Sequence, residues 1–276
     1  MRAWTRLFIP ALASTVACGG DKVALDSGDD SGSAGVVDDS GEPFDPGPLG
    51  MLAGSLVDAA GGPLVDVVVT MCRGVCKAER TDEDGAFVHA VAPGTWSMEV
   101  TIEPGNKDST WSTPLAPVEI VLDETRTLEV ALVVPELGPR VELVTAGPVP
   151  VGDGLVLHAD PAGWEAPALD PDAEPWVAAV GLDPSAAGLP MEGLEGEALG
   201  LWYVAPTDSH LATPWALEIT NAWGLEPGAE AQAWVSDYSS QSWVSAGALH
   251  VSDDGSVLLS DDGGGLPVLG SVVLLR

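Results

Sequence analysis

The chain has 276 residues and a formal net charge of −32, from 42 acidic against 10 basic residues, yet 46% of it is hydrophobic. That apolar share can build a core, so a disordered acidic chain is excluded over most of the length. The acidity excludes nucleic-acid binding, whose affinity comes from Lys and Arg neutralising phosphates, and a basic patch for anionic lipid. The charge is also uneven. Between Arg140 and Arg276 there is no Lys or Arg, while 20 acidic residues lie there. Apolar burial must supply most of the stability of that stretch, and its carboxylates must be solvated, capped by backbone N–H groups or bound to a metal ion.

The chain opens Met1-Arg-Ala-Trp-Thr-Arg6, and residues 7–16 are then apolar apart from one break at Pro10. A charged start and a short apolar stretch make a secretory signal, too short to span a bilayer, and predict a signal peptide over 1–17. The end of this stretch, Thr15-Val16-Ala17-Cys18-Gly19, resembles the lipobox of bacterial lipoproteins, with Thr15 where that family usually has Leu. The resemblance implies a lipidated N-terminal Cys18, membrane contact through that anchor only, and, with Gly19 rather than Asp next, a place in the outer membrane.

Three cysteines are an odd number for an exported chain. Acylation of Cys18 leaves Cys72 and Cys76, which an oxidising compartment tends to join. Met71-Cys-Arg-Gly-Val-Cys-Lys77 reads as two strand ends around Gly74, with cross-strand Cα distances of about 4.5–5.5 Å, inside disulfide range. Two thiols without a second ligand pair do not complete a tetrahedral zinc site. Residues 18–48 are dominated by Gly, Ser and Asp, with Lys22 the lone cation, and predict a flexible acidic tether. Asp26-Ser-Gly-Asp-Asp-Ser-Gly32 lacks the alternating ligand spacing of a calcium loop.

From residue 49 the pattern becomes that of strands. Ala53-Gly-Ser-Leu-Val-Asp58 precedes a Gly-Gly-Pro turn and Leu64-Val-Asp-Val-Val-Val-Thr70. The turn Thr81-Asp-Glu-Asp-Gly85 leads to Ala86-Phe-Val-His-Ala90, and Pro93-Gly94 leads to a strand with Trp96, Met98 and Val100 on one face. Residues 127–134 place Leu128, Val130, Leu132 and Val134 inward by alternation. Gly54, Asp58, Gly62-Pro63-Leu64, Val67, Val69, Thr81-Asp82, Gly85, Phe87, Pro93-Gly94 and Trp96, in that order, resemble the carboxypeptidase regulatory-like domain. That resemblance implies a transthyretin-like β-sandwich over 49–137, kinship with carbohydrate-binding-like folds, and an accessory module without catalytic machinery.

Residues 138–276 predict a second all-β domain, a sandwich or barrel. Short strands are expected at 154–159, 176–180, 199–204, 215–220, 231–236, 248–251, 256–260 and 270–275, separated by turns such as Asp253-Asp-Gly255 and Asp261-Asp-Gly-Gly-Gly265. The fold class is therefore all-β throughout, after the tether.

Searches for chemistry find no nucleophile elbow, no His-Glu-x-x-His, no Cys-x-x-Cys and no phosphate loop. His89, His158, His210 and His250 are scattered and read as strand-face residues. No catalytic, cofactor or metal residue is assigned. Asp82, Asp84, Asp253, Asp254, Asp261 and Asp262 could offer calcium ligands, but Asp-Gly is also the commonest hairpin turn. Ten Trp stand against three Phe and two Tyr, and seven Trp fall after Arg140. Trp164, Trp223 and Trp243 sit near Gly, Pro or Ser turns and are the candidates for exposed rings stacking on sugar. The expected function is a non-catalytic cell-surface binding or structural module whose partner is a polysaccharide or a surface protein. The alternative is a secreted hydrolase with its site in 138–276.

Overall fold

The computed structural model describes residues 48–106, 109–168 and 170–276. The signal peptide expected over 1–17, the lipidation site Cys18 and all but the last residue of the tether lie outside the described residues. The described chain is all-β, and its helical content is a single 3-10 turn at Pro161–Gly163. No helix among the described residues is long and apolar enough to cross a membrane. Pro46–Arg276 is one compact unit.

The first eight strands are β1 (Gly50–Val57), β2 (Val68–Arg73), β3 (Val75–Arg80), β4 (Ala86–Val91), β5 (Gly94–Thr101), β6 (Leu115–Ile120), β7 (Thr125–Thr127) and β8 (Leu132–Val133). They form two sheets: β4 and β7 flank β1, which also pairs with β8, and the other sheet runs β3-β2-β5-β6. The expected alternation in β5 is present. Trp96, Met98 and Val100 are buried among Leu52, Leu56, Val69 and Phe87, while Ser97 and Glu99 take the opposite face. Cys72 and Cys76 face each other across the β2–β3 hairpin and form a disulfide with Cα atoms 4.1 Å apart. Gly74 at its tip has φ +74°, which an L side chain disfavours.

The single strand expected over 127–134 is broken. Thr127 pairs with Ala53 and Leu132 with Leu56, so the chain after β7 has two more residues to place than the segment of β1 opposite. The excess bows outward and leaves Val130 47% exposed instead of inward.

The remaining strands are β9 (Val141–Glu142), β10 (Gly147–Gly152), β11 (Leu155–Ala159), β12 (Trp164–Glu165), β13 (Trp176–Leu182), β14 (Ala198–Ala205) and β15 (His210–Trp215). After them come β16 (Leu217–Thr220), β17 (Glu230–Asp237), β18 (Ser242–Val251), β19 (Val257–Ser260), β20 (Leu266–Val268) and β21 (Ser271–Leu275). Ten of them make one sheet in the order β10-β11-β16-β19-β18-β17-β21-β14-β13-β9, and β12-β15-β20 make a smaller one. The large sheet curls until β10 lies beside β13, close to a barrel. The edge of β13 is covered: Gly138 N–H donates to Ala179 O at 2.9 Å, and Gly181 N–H donates to Asp153 Oδ2 at 2.7 Å. The proline spacing of β10, Gly-Pro-Val-Pro-Val-Gly, suits an edge, because Pro148 and Pro150 have no N–H to leave unpaired.

Two strands are buried on both faces. In β14, Trp202 and Val204 enter the core of the large sheet, while Leu201 and Tyr203 enter the core of the first sandwich. In β21, Val272 and Leu274 go one way and Val273 and Leu275 the other. One apolar core thus runs from the first sandwich into the back of the second sheet. Polar groups tie the same seam. Leu115 N–H donates to Ser271 Oγ at 3.0 Å, Ser271 N–H to Ser236 Oγ at 2.9 Å, and Ser97 Oγ–H to the Tyr238 carbonyl at 3.0 Å.

Candidate functional site

The three tryptophans expected at the surface have different fates. Trp243, opposite Ser236 in the β17–β18 ladder, faces the first sandwich and is only 9% exposed, inside the shared core. Trp164 is half-buried against the core of the large sheet, and its Nε1 is enclosed without a hydrogen-bond partner. Trp223 alone of the three lines an open groove.

That groove has a volume of about 480 Å³. Trp202 and Trp223 form its aromatic wall, meeting edge to face with ring centroids 6.4 Å apart and planes at 88°. Trp202 Nε1–H donates to the Asp153 carbonyl at 3.3 Å, which fixes the inner ring. Gly200 makes room for both: a Cβ there would come within 2.5 Å of the Trp202 ring and 3.0 Å of Trp223. The loop carrying Trp223 is held by Asn221. Its Nδ2 donates to Leu225 O and Gly255 O at 2.8 and 2.9 Å, and its Oδ1 accepts from Leu225 N–H at 3.0 Å.

Asp153 and Asp183 also line the groove. Asp153 uses Oδ2 to accept from Gly181 N–H. Asp183 uses Oδ1 to accept from Ser185 Oγ–H and N–H at 2.7 and 2.9 Å, bonds that lower its pKa, the hydroxyl bond most. The second oxygen of each carboxylate stands outside these bonds. An aromatic face beside carboxylate acceptors offers the two contacts a sugar ring makes, stacking by its C–H face and donation from its hydroxyls. Sequence reasoning found Trp223 from its neighbouring glycine but not Asp153, Asp183, Trp202 or Asn221. Asn221 carried a readable signal, as a turn-forming side chain two residues before the ring.

The Asp-Gly turns mostly close on themselves. Asp82 Oδ1 accepts from Asp84 and Ala86 N–H. Asp254 Oδ1 accepts from the Ser252 hydroxyl and from both the hydroxyl and N–H of Ser256. These bonds, the Ser252 hydroxyl first, pull the Asp254 pKa down to about 2. Among the histidines, His89 is buried with Nε2 2.9 Å from Val69 O, and burial pushes its pKa down. His250 Nδ1 lies 2.6 Å from Asp261 Oδ1, and His158 Nε2 3.7 Å from Glu218.

A second cluster sits at the seam. Asp208, at φ +65°, lies in the link into β15, His210 opens β15, and Asp237 ends β17. One donor atom of each lies within 4.8 Å of the other two. Asp208 Oδ1 is enclosed without a hydrogen-bond partner and stands 3.5 Å from His210 Nε2, an ion pair only when that ring is protonated. Burial raises the Asp208 pKa. Asp237 behaves oppositely: burial would raise its pKa, but hydrogen bonds from Ser240 and Ser239 outweigh that and lower it. Glu99 approaches from β5. Its residue keeps some exposure, but burial of its carboxyl, helped by the Asp208 charge, pushes its pKa up to about 7. Asp237 follows His210 by 27 residues and Glu99 precedes Asp208 by more than 100, so no local spacing could have revealed the set.

No protein-family model matches the chain, and no curated protein matches it in sequence.

Proposed function

We propose that this chain is a cell-envelope binding module that takes a neutral glycan in the groove beside Trp223, held from the membrane by a lipid on Cys18 and the acidic tether. The observation that carries the reading is the half-buried Trp223 ring, backed by Trp202 and facing the groove with Asp153 and Asp183. A net charge of −32 argues against an acidic polysaccharide. The resemblance of 49–134 to carboxypeptidase regulatory-like domains supports an accessory rather than a catalytic role.

The test is a glycan array with the full-length protein, repeated with Trp223→Ala. Retention on one class of neutral glycan, reduced at least tenfold by the substitution, supports the proposal. Binding that survives Trp223→Ala, or capture of a surface protein with no glycan signal, overturns it. Palmitate labelling of wild type and Cys18→Ala tests the anchor separately, and labelling unchanged in the variant removes it.

A further inference from the structure

We propose that Asp208, His210 and Asp237 form a divalent transition-metal site at the seam, with Glu99 from the opposite sheet beside Asp208 as a third carboxyl group. Three donor atoms mutually within 4.8 Å are spaced for a common ion, since bonds of about 2.0–2.2 Å place ligands roughly 3–4.4 Å apart, a distance that side-chain rotation reaches. The donor set of one imidazole nitrogen and carboxylate oxygens suits zinc or manganese, whereas calcium takes oxygen alone.

Two further observations point to a cation there. Asp208 Oδ1 is enclosed without a hydrogen-bond partner. Glu99 is half-buried beside the Asp208 charge, and among the described residues its carboxyl has no hydrogen-bond or ion-pair partner. Its direction is fixed by the strand. Glu99 shares a face of β5 with Ser97, whose hydroxyl bonds the carbonyl of Tyr238, the residue next to Asp237. Enclosed carboxylates without compensation are expensive. The stretch from 141 to 275, which supplies Asp208 and Asp237, holds no Lys or Arg that could neutralise these two. A divalent ion balances the Asp208 and Asp237 charges, leaves the imidazole neutral, and joins the start of β15 to the end of β17.

The probe is zinc alone, added to the full-length protein after EDTA treatment and dialysis. The expected result is one zinc bound per chain and a rise in melting temperature that EDTA reverses. Affinity falls at least tenfold in Asp208→Asn and in His210→Gln and is unchanged in His250→Gln, which removes the exposed His250–Asp261 pair. A measurement that needs no variant is carbethoxylation by diethyl pyrocarbonate, mapped by mass spectrometry. Equimolar zinc should protect His210 and leave His158 and His250 reactive. Absence of stoichiometric zinc binding, an unprotected His210, loss of binding in His250→Gln, or a response to calcium but not to zinc or manganese would each overturn the proposal.

Discussion

Around Trp223 the carboxylates of Asp153 and Asp183 stand at an open groove, each tied through one oxygen to N–H or hydroxyl donors. At the seam, Glu99 and Asp208 are half-buried, and neither carboxyl is held by a Lys or Arg among the described residues. The same residue types therefore respond in opposite directions. Hydrogen bonds lower the pKa of Asp183, as they do for Asp254 in its turn, while burial raises Glu99 and Asp208. A chain this acidic folds because most of its acids are of the first kind, solvated or capped, and screened from one another by salt. The seam is where acidity opposes the fold, and the groove is where it is free to serve a ligand.

Three measurements separate the two regions. The largest effect is expected from Trp243→Ala. Emptying a 9% exposed indole site in the shared core should cost about 3–5 kcal/mol in denaturant unfolding, while the folded variant keeps wild-type glycan affinity. Loss of glycan affinity in a folded Trp243→Ala protein would break the distinction between the two tryptophans.

The next effect concerns pH. The folded protein holds a proton on Glu99 up to about pH 7, whereas the unfolded chain releases it near the ordinary value of 4.5. The stability linked to this group is complete below about pH 4.5 and is lost as pH rises through about 7, and the raised Asp208 pKa acts in the same direction. In EDTA, stability should fall by up to about 3 kcal/mol across that window. Glu99→Gln, uncharged at every pH, should remove most of the slope, and a slope that persists in this variant would place the titration elsewhere.

The smallest effect is Asn221→Ala. Two hydrogen bonds within the Trp223 loop and one from it to Gly255 disappear, for a loss of about 1–2 kcal/mol that hydrogen exchange should localise to residues 221–225. Glycan affinity should drop with it, because the ring is no longer held at the groove.

Much of the fold is legible in the sequence wherever one face of a strand is buried and the other wet. Trp96, Met98 and Val100 announce the inward face of β5, and the hairpin around Gly74 announces the Cys72–Cys76 bridge. Legibility fails where that asymmetry is missing. All five residues of β21 are buried, so its unbroken apolar run names a strand without saying which side chains belong to which core. The short strands β9, β12 and β20, and the proline-bearing β10, lack an alternating signal and are held by their neighbours. In the groove, the turn beside Trp223 was readable, but its carboxylate partners come from the 153 and 183 turns, brought together only by the curl of the sheet.

The sequence by itself determined that this is an acidic all-β protein with a cross-strand disulfide and turns at its Asp-Gly pairs, because alternation and turn chemistry act over a few residues. Only the tertiary structure decided that Trp243 is core and Trp223 is groove, and that Asp208, His210 and Asp237 meet with Glu99 beside Asp208. Those outcomes depend on ladder register and on how two sheets meet back to back. Pairings between residues tens to more than a hundred positions apart leave no trace in local spacing.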